Sequence, residues 1–104
     1  MELKVFWSDF AKIKLGEIFE YYKLKASLKV ANKIVNGIVN RTIDLNKTPR
    51  IGQVEDIIKD DEREFRYLVY TNYKILYYIN IKTNQIIIAH VFDTRQNPEK
   101  LRTM

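Results

Sequence analysis

A chain of 104 residues, 46% hydrophobic and 30% charged, is long enough for one folded domain over residues 1–104 with one hydrophobic core. It has no cysteine, which excludes disulfides and thiolate metal sites, and its single histidine leaves no cluster to hold a metal. The net charge of +5 conceals an asymmetry: Glu55 to Glu64 holds six acidic against two basic residues, and the remainder holds 16 basic against 7 acidic. A body that basic suits an anionic partner, and the acidic stretch reads as a solubilising loop or as one that repels nucleic acid.

The opening MELKVFWSDF has no basic segment followed by an apolar stretch, so no signal peptide is expected. No apolar run approaches the ~20 residues of a membrane span, and a cytoplasmic location with no membrane contact is expected. Glu2 to Trp7 begins with alternation, Leu3 and Val5 sharing a face, and reads as a strand. Ser8-Asp9 is an N-cap with an acid in the first turn. Behind it Ala11, Leu15, Ile18 and Tyr22 recur at helical spacing, with Phe19 widening the stripe. A second helix starts at Ser27, with Val30, Ile34, Ile38 and Leu45 as its stripe. Gly37 lies inside it and is read as permitting close approach of the first helix. Thr48-Pro49-Arg50-Ile51-Gly52 ends the helical hairpin.

Residues 53–63 are acidic and weakly patterned, a loop or short irregular strand. Three β-branched and aromatic runs follow, Phe65–Tyr70, Tyr73–Asn80 and Gln85–Phe92. Thr71-Asn72 is a two-residue hairpin connection in which the asparagine is expected to take positive φ. The predicted fold is α+β: an N-terminal strand and a two-helix hairpin packed on one face of an antiparallel sheet, in the order β-α-α-β-β-β. Alternation then assigns faces, and the sets that carry charge are assigned to the open face. These sets are Arg66, Leu68 and Tyr70 on the first strand and Lys74, Leu76 and Tyr78 on the second. On the third, Ile86, Ile88, His90 and Phe92 oppose Ile87, Ala89, Val91, Asp93 and Arg95. With Arg95 on the open face, three cations gather over strands ~4.8 Å apart, a constellation that holds phosphate or carboxylate.

The helical hairpin, the TPRIG break, the FRYLVYTNYKILYYI hairpin and the closing VFDTRQNP resemble the RelE/ParE superfamily of type II toxin–antitoxin toxins, and ParE more closely. The resemblance runs from Trp7 to about Leu101 and implies a small basic toxin neutralised by a cognate antitoxin, an acidic segment that folds on binding. ParE-like members poison DNA gyrase, whereas RelE-like members cut mRNA in the ribosome. The resemblance implies catalytic roles for Arg66, Lys74 and Arg95 if the chain is a ribosome-dependent endoribonuclease. Leu68 stands where RelE carries a lysine, and the tail after Arg95 has neither tyrosine nor histidine, so the acid–base set is incomplete and gyrase inhibition is the leading expectation. A toxin kept only as the regulatory partner of its antitoxin is a further alternative. Operator DNA would be met only through the antitoxin complex, and no cofactor is implied.

The same open face predicts the antitoxin contact, with Arg66, Lys74 and Arg95 as charge anchors and Leu68, Leu76 and Tyr78 as the apolar floor. His90, flanked by apolar residues, is read as a packed core residue before a catalytic one. Asp93 and Arg95 are read as a same-face pair ordering the strand end.

Overall fold

A computed structural model describes residues 3–59 and 61–103; Glu2 and Asp60 of the sequence reading lie outside that range. The chain runs β1 (Lys4–Trp7), α1 (Asp9–Lys25), α2 (Leu28–Thr42), β2 (Gln53–Val54), β3 (Arg66–Tyr70), β4 (Tyr73–Asn80) and β5 (Gln85–Asp93), with short 3-10 turns at Asp56–Ile58 and Pro98–Thr103. The five strands lie in the order β1-β5-β4-β3-β2. β1 pairs parallel to β5, and the remaining pairs are antiparallel. The sheet is therefore mixed, because the two helices carry the chain from β1 back to the far side of the meander.

Both helices start as the sequence predicts. The Ser8 and Ser27 hydroxyls accept from the Ala11 and Val30 N–H groups, each at 3.1 Å, satisfying donors that a helix leaves open. α1 and α2 bury Ala11, Ile18 and Ile38 against Leu68, Tyr73, Ile75, Tyr77, Ile86, Ile88 and Val91 of the sheet. Leu45 joins this core from the turns after α2, not from the helix itself, and Val30 stands exposed. Gly37 makes room for Tyr70 of β3, whose ring a Cβ there would overlap. At the β3–β4 connection Thr71, not Asn72, takes the left-handed conformation, with φ 51°.

The expected faces are corrected at two strands. Paired residues of an antiparallel ladder share a face. Arg66 pairs with Tyr77 and Leu68 with Ile75, so the Arg66, Leu68 and Tyr70 set lies on the helix side. Lys74 pairs with Val69 and Leu76 with Tyr67, on the other side. Charge misassigned β3 because Arg66 can stay largely buried on the helix side, its guanidinium bonded to the Arg50 and Gly52 carbonyls and to Glu64. On β5 the register slips: Leu76 pairs with His90 but Tyr77 with Ile88, leaving Ala89 as a bulge. Ile86, Ile88 and Val91 therefore share the helix side, while His90 and Phe92 turn to the other.

That other side is not open. Phe65, Leu76 and Phe92 form a second apolar cluster with Ile58 from the first 3-10 turn and Leu101 from the second. The acidic segment and the tail thus fold over most of this second face, leaving Val69 at its edge exposed.

Candidate functional site

The three expected cations are not brought together. Arg66 donates from Nη1 to the Gly52 carbonyl at 2.8 Å and the Arg50 carbonyl at 3.3 Å, and from Nη2 to Glu64 at 2.9 Å. It staples the turn after α2 to β3. On the opposite face Lys74 meets the Glu55 carboxylate at 2.8 Å and lies 4.3 Å over the Tyr67 ring. The Glu55 side chain is 5% exposed, so the cation is met by a buried partner from the acidic segment. Arg95 lies beyond the end of β5, its side chain 59% exposed, and forks onto Asp93 at 2.8 Å.

Of the predicted apolar floor, Leu68 is buried beneath the helices and Leu76 is wholly buried in the second cluster. Tyr78 is half-buried at the edge of that cluster, 5.3 Å from the Phe65 ring. Arg63 caps the same two rings, 4.8 Å from Phe65 and 5.4 Å from Tyr78, and its guanidinium pairs with Asp61. Sequence reasoning missed Arg63 and Glu55 because both lie in the acidic stretch. The one signal was their positions flanking the strand, Arg63 two residues before Phe65.

The Asp93–Arg95 reading agrees with the geometry. Asp93 accepts from the Arg95 guanidinium and N–H and from the Asn72 side-chain amide. The guanidinium above all holds the Asp93 carboxyl down at about 2. Because its unfolded value is about 3.9, the ionised group stabilises the fold above roughly pH 4, and this contribution is lost as pH falls through the folded value. Arg95 lies at the surface, so screening keeps this contribution small. Asp93→Asn should flatten the stability–pH curve on this acid limb, and acid unfolding followed by circular dichroism measures it.

His90 is 7% exposed, with the Phe10 ring edge-on at 4.9 Å and Phe92 at 5.7 Å. Burial, with Lys14 adding to it, pushes its imidazole down to about 4, so it is neutral at physiological pH. Its Nδ1 is buried without a hydrogen-bond partner. It lines a groove of about 630 Å³ between α1 and the end of β5, with Phe10, Lys14 and Tyr21 on the helix side and Arg95 and Lys100 on the other. No group of three metal-binding side chains occurs among the described residues. Among them, too, no helix is long and apolar enough to cross a membrane.

The order of elements, the mixed sheet and the helical hairpin over one face are features that can be compared with known proteins. The family model described as the ParE toxin of the type II toxin–antitoxin system parDE matches residues 5–98. The chain belongs to the ParE toxin family. The match takes in every strand and both helices but β1's first residue, and stops at the start of the tail turn. A solved structure described as a chromosomal ParDE TA system from P. aeruginosa matches with a TM-score of 0.73 at 17% identity, over 88% of this chain and 96% of that one. At such identity the likeness shows a shared ParE-like fold. No curated protein matches the chain.

Proposed function

We propose that this ParE-family toxin inhibits growth by binding DNA gyrase, without cutting RNA, and that a cognate acidic antitoxin neutralises it. The observation that carries this reading is the Lys74–Glu55 ion pair inside a closed second face. Cleavage of RNA through its 2′-hydroxyl needs a base, an acid and cations around one phosphate. Here Arg66 and Lys74 lie on opposite faces, both engaged by the chain itself, and the histidine is buried and neutral. A protein that works by binding needs no such set. Of the expected antitoxin anchors, Arg95 and Tyr78 keep surface to offer, whereas Leu68 and Leu76 serve the core.

Purified chain added to gyrase should reduce supercoiling or raise the amount of cleaved DNA. Lys74→Ala, which leaves Glu55 buried without its partner, should keep growth inhibition within about twofold at a temperature where the variant is folded. Gyrase left untouched at every ratio, together with cut messages in cells and loss of both effects in Lys74→Ala, would replace this reading with the endonuclease.

A further inference from the structure

The outward side of α2 carries a polar stripe with no acid in it. Lys29, Asn32, Lys33, Asn36 and Asn40 are exposed and recur three or four positions apart. Helical spacing gathers them within about 100° of arc, opposite the buried Ala31 and Ile38. Leu28 and Val30, exposed in the first turn, lie about 100° to either side of Lys29 and so off the stripe. None of the five stripe side chains makes a hydrogen bond or ion pair among the described residues.

A solvated helix face ordinarily interleaves both signs of charge, and this one does not. From Tyr21 to Ile43 the chain has five basic residues, and all 13 of its acidic residues lie outside that run. Arg41 is engaged by the Val69 carbonyl. Lys23 and Lys25, exposed at the free end of the hairpin, carry the positive charge past the start of α2. The first turn of α2 holds no acid either, so the positive end of its dipole adds to Lys29.

We propose that the α2 stripe binds duplex DNA, with Lys29 and Lys33, supported by Lys23 and Lys25, on phosphates and the asparagines on the groove. It rests on the gyrase reading and deepens it: gyrase works on DNA, and a toxin that touches both holds enzyme and substrate together. Lysine suits phosphate, and an asparagine amide offers a donor and an acceptor at once, which serves phosphates and base edges alike. The 15-residue helix is about 22 Å long, and the DNA major groove, ~12 Å wide, admits a helix. Duplex RNA has a deep, narrow major groove that excludes one. A partner protein would need an apolar seam, and the stripe has none. An anionic lipid surface would need apolar side chains beneath the lysines, where the asparagines lie.

The test follows the whole chain with a labelled duplex of about 20 base pairs by fluorescence anisotropy, without gyrase. At ~50 mM salt the duplex should bind with a Kd of roughly 100 µM or tighter. With three or four lysines on phosphates, affinity should fall roughly 40- to 150-fold by ~200 mM salt. Lys29→Ala with Lys33→Ala, at exposed sites where alanine suits a helix, should weaken binding at least ~10-fold and lower the salt slope by about two. Asn36→Ala with Asn40→Ala should weaken it roughly threefold and leave the slope unchanged. Lys59→Ala with Lys82→Ala removes the same charge from exposed sites outside the hairpin and should change binding less than about twofold. No binding, no effect of either α2 pair, or an equal loss in the Lys59 and Lys82 control overturns the proposal. So does duplex RNA binding as tightly as DNA, or phosphatidylserine vesicles held by Lys29 and Lys33 while DNA is not. Supercoiling assays keep the two readings apart. Inhibition without DNA binding sinks this proposal alone, and DNA binding without inhibition sinks the gyrase reading.

Discussion

Gly52→Ala should cost the fold about 3 kcal/mol or more, while Gly37→Ala should change it by less than about 1 kcal/mol, although the second glycine has the nearer neighbour. A Cβ on Gly52 would lie 2.7 Å from the Tyr77 hydroxyl and 2.8 Å from the Tyr67 carbonyl. Neither can retreat. The Tyr67 carbonyl belongs to β3, and the fully buried Tyr77 hydroxyl accepts from the Gly52 N–H at 2.9 Å and donates to the Pro49 carbonyl at 2.8 Å. Moving that hydroxyl breaks both bonds and leaves a buried N–H without a partner, which adds to the steric cost. At Gly37 the clash is with the far end of the half-buried Tyr70 ring, which can swing outward. The helix gains up to ~1 kcal/mol there from replacing glycine in its interior. Urea unfolding of the two variants beside the parent chain measures both values. A Gly52→Ala protein as stable as the parent would show that the turn after α2 is not held as described.

Leu76→Ala should cost about 3 kcal/mol, the range for a leucine truncated in a packed interior. If the second face were an open groove, the same change would cost well under 1 kcal/mol and would weaken antitoxin binding instead. Leu76 is fully buried among Phe65, Phe92, Ile58 and Leu101. The cavity left by the truncation is bounded by Phe92 of β5, by Phe65 immediately before β3 and by two turn residues. The sheet side is rigid, so the two 3-10 turns would have to settle inward to fill it. Thermal unfolding of Leu76→Ala, with antitoxin affinity measured on the folded protein, separates the two cases. Unchanged stability with lost affinity would restore the groove.

The local elements were legible in the sequence because their causes are local. Ser8 and Ser27 cap helices through bonds three residues long, and the alternation of Phe65–Tyr70, Tyr73–Asn80 and Gln85–Phe92 reports strands whichever way they face. The order of elements, and the family it resembles, needed nothing more. The site was a different matter, since each of its features depends on residues far apart in the chain. Arg66 and Lys74 part to opposite faces because the register pairs Arg66 with Tyr77 and Lys74 with Val69. A single bulge at Ala89 reverses the side on which His90 and Phe92 lie, and period-two counting has no means to see one extra residue. The second face is covered by Glu55 and Ile58 from one segment and Leu101 from another 43 to 46 positions further along the chain, and neither segment carries a periodic signal. The sequence by itself determined which stretches became helix and strand and which family they form. Only the tertiary structure decided which cations are spent inside the fold and which lysines remain for a partner, because that depends on who sits opposite whom.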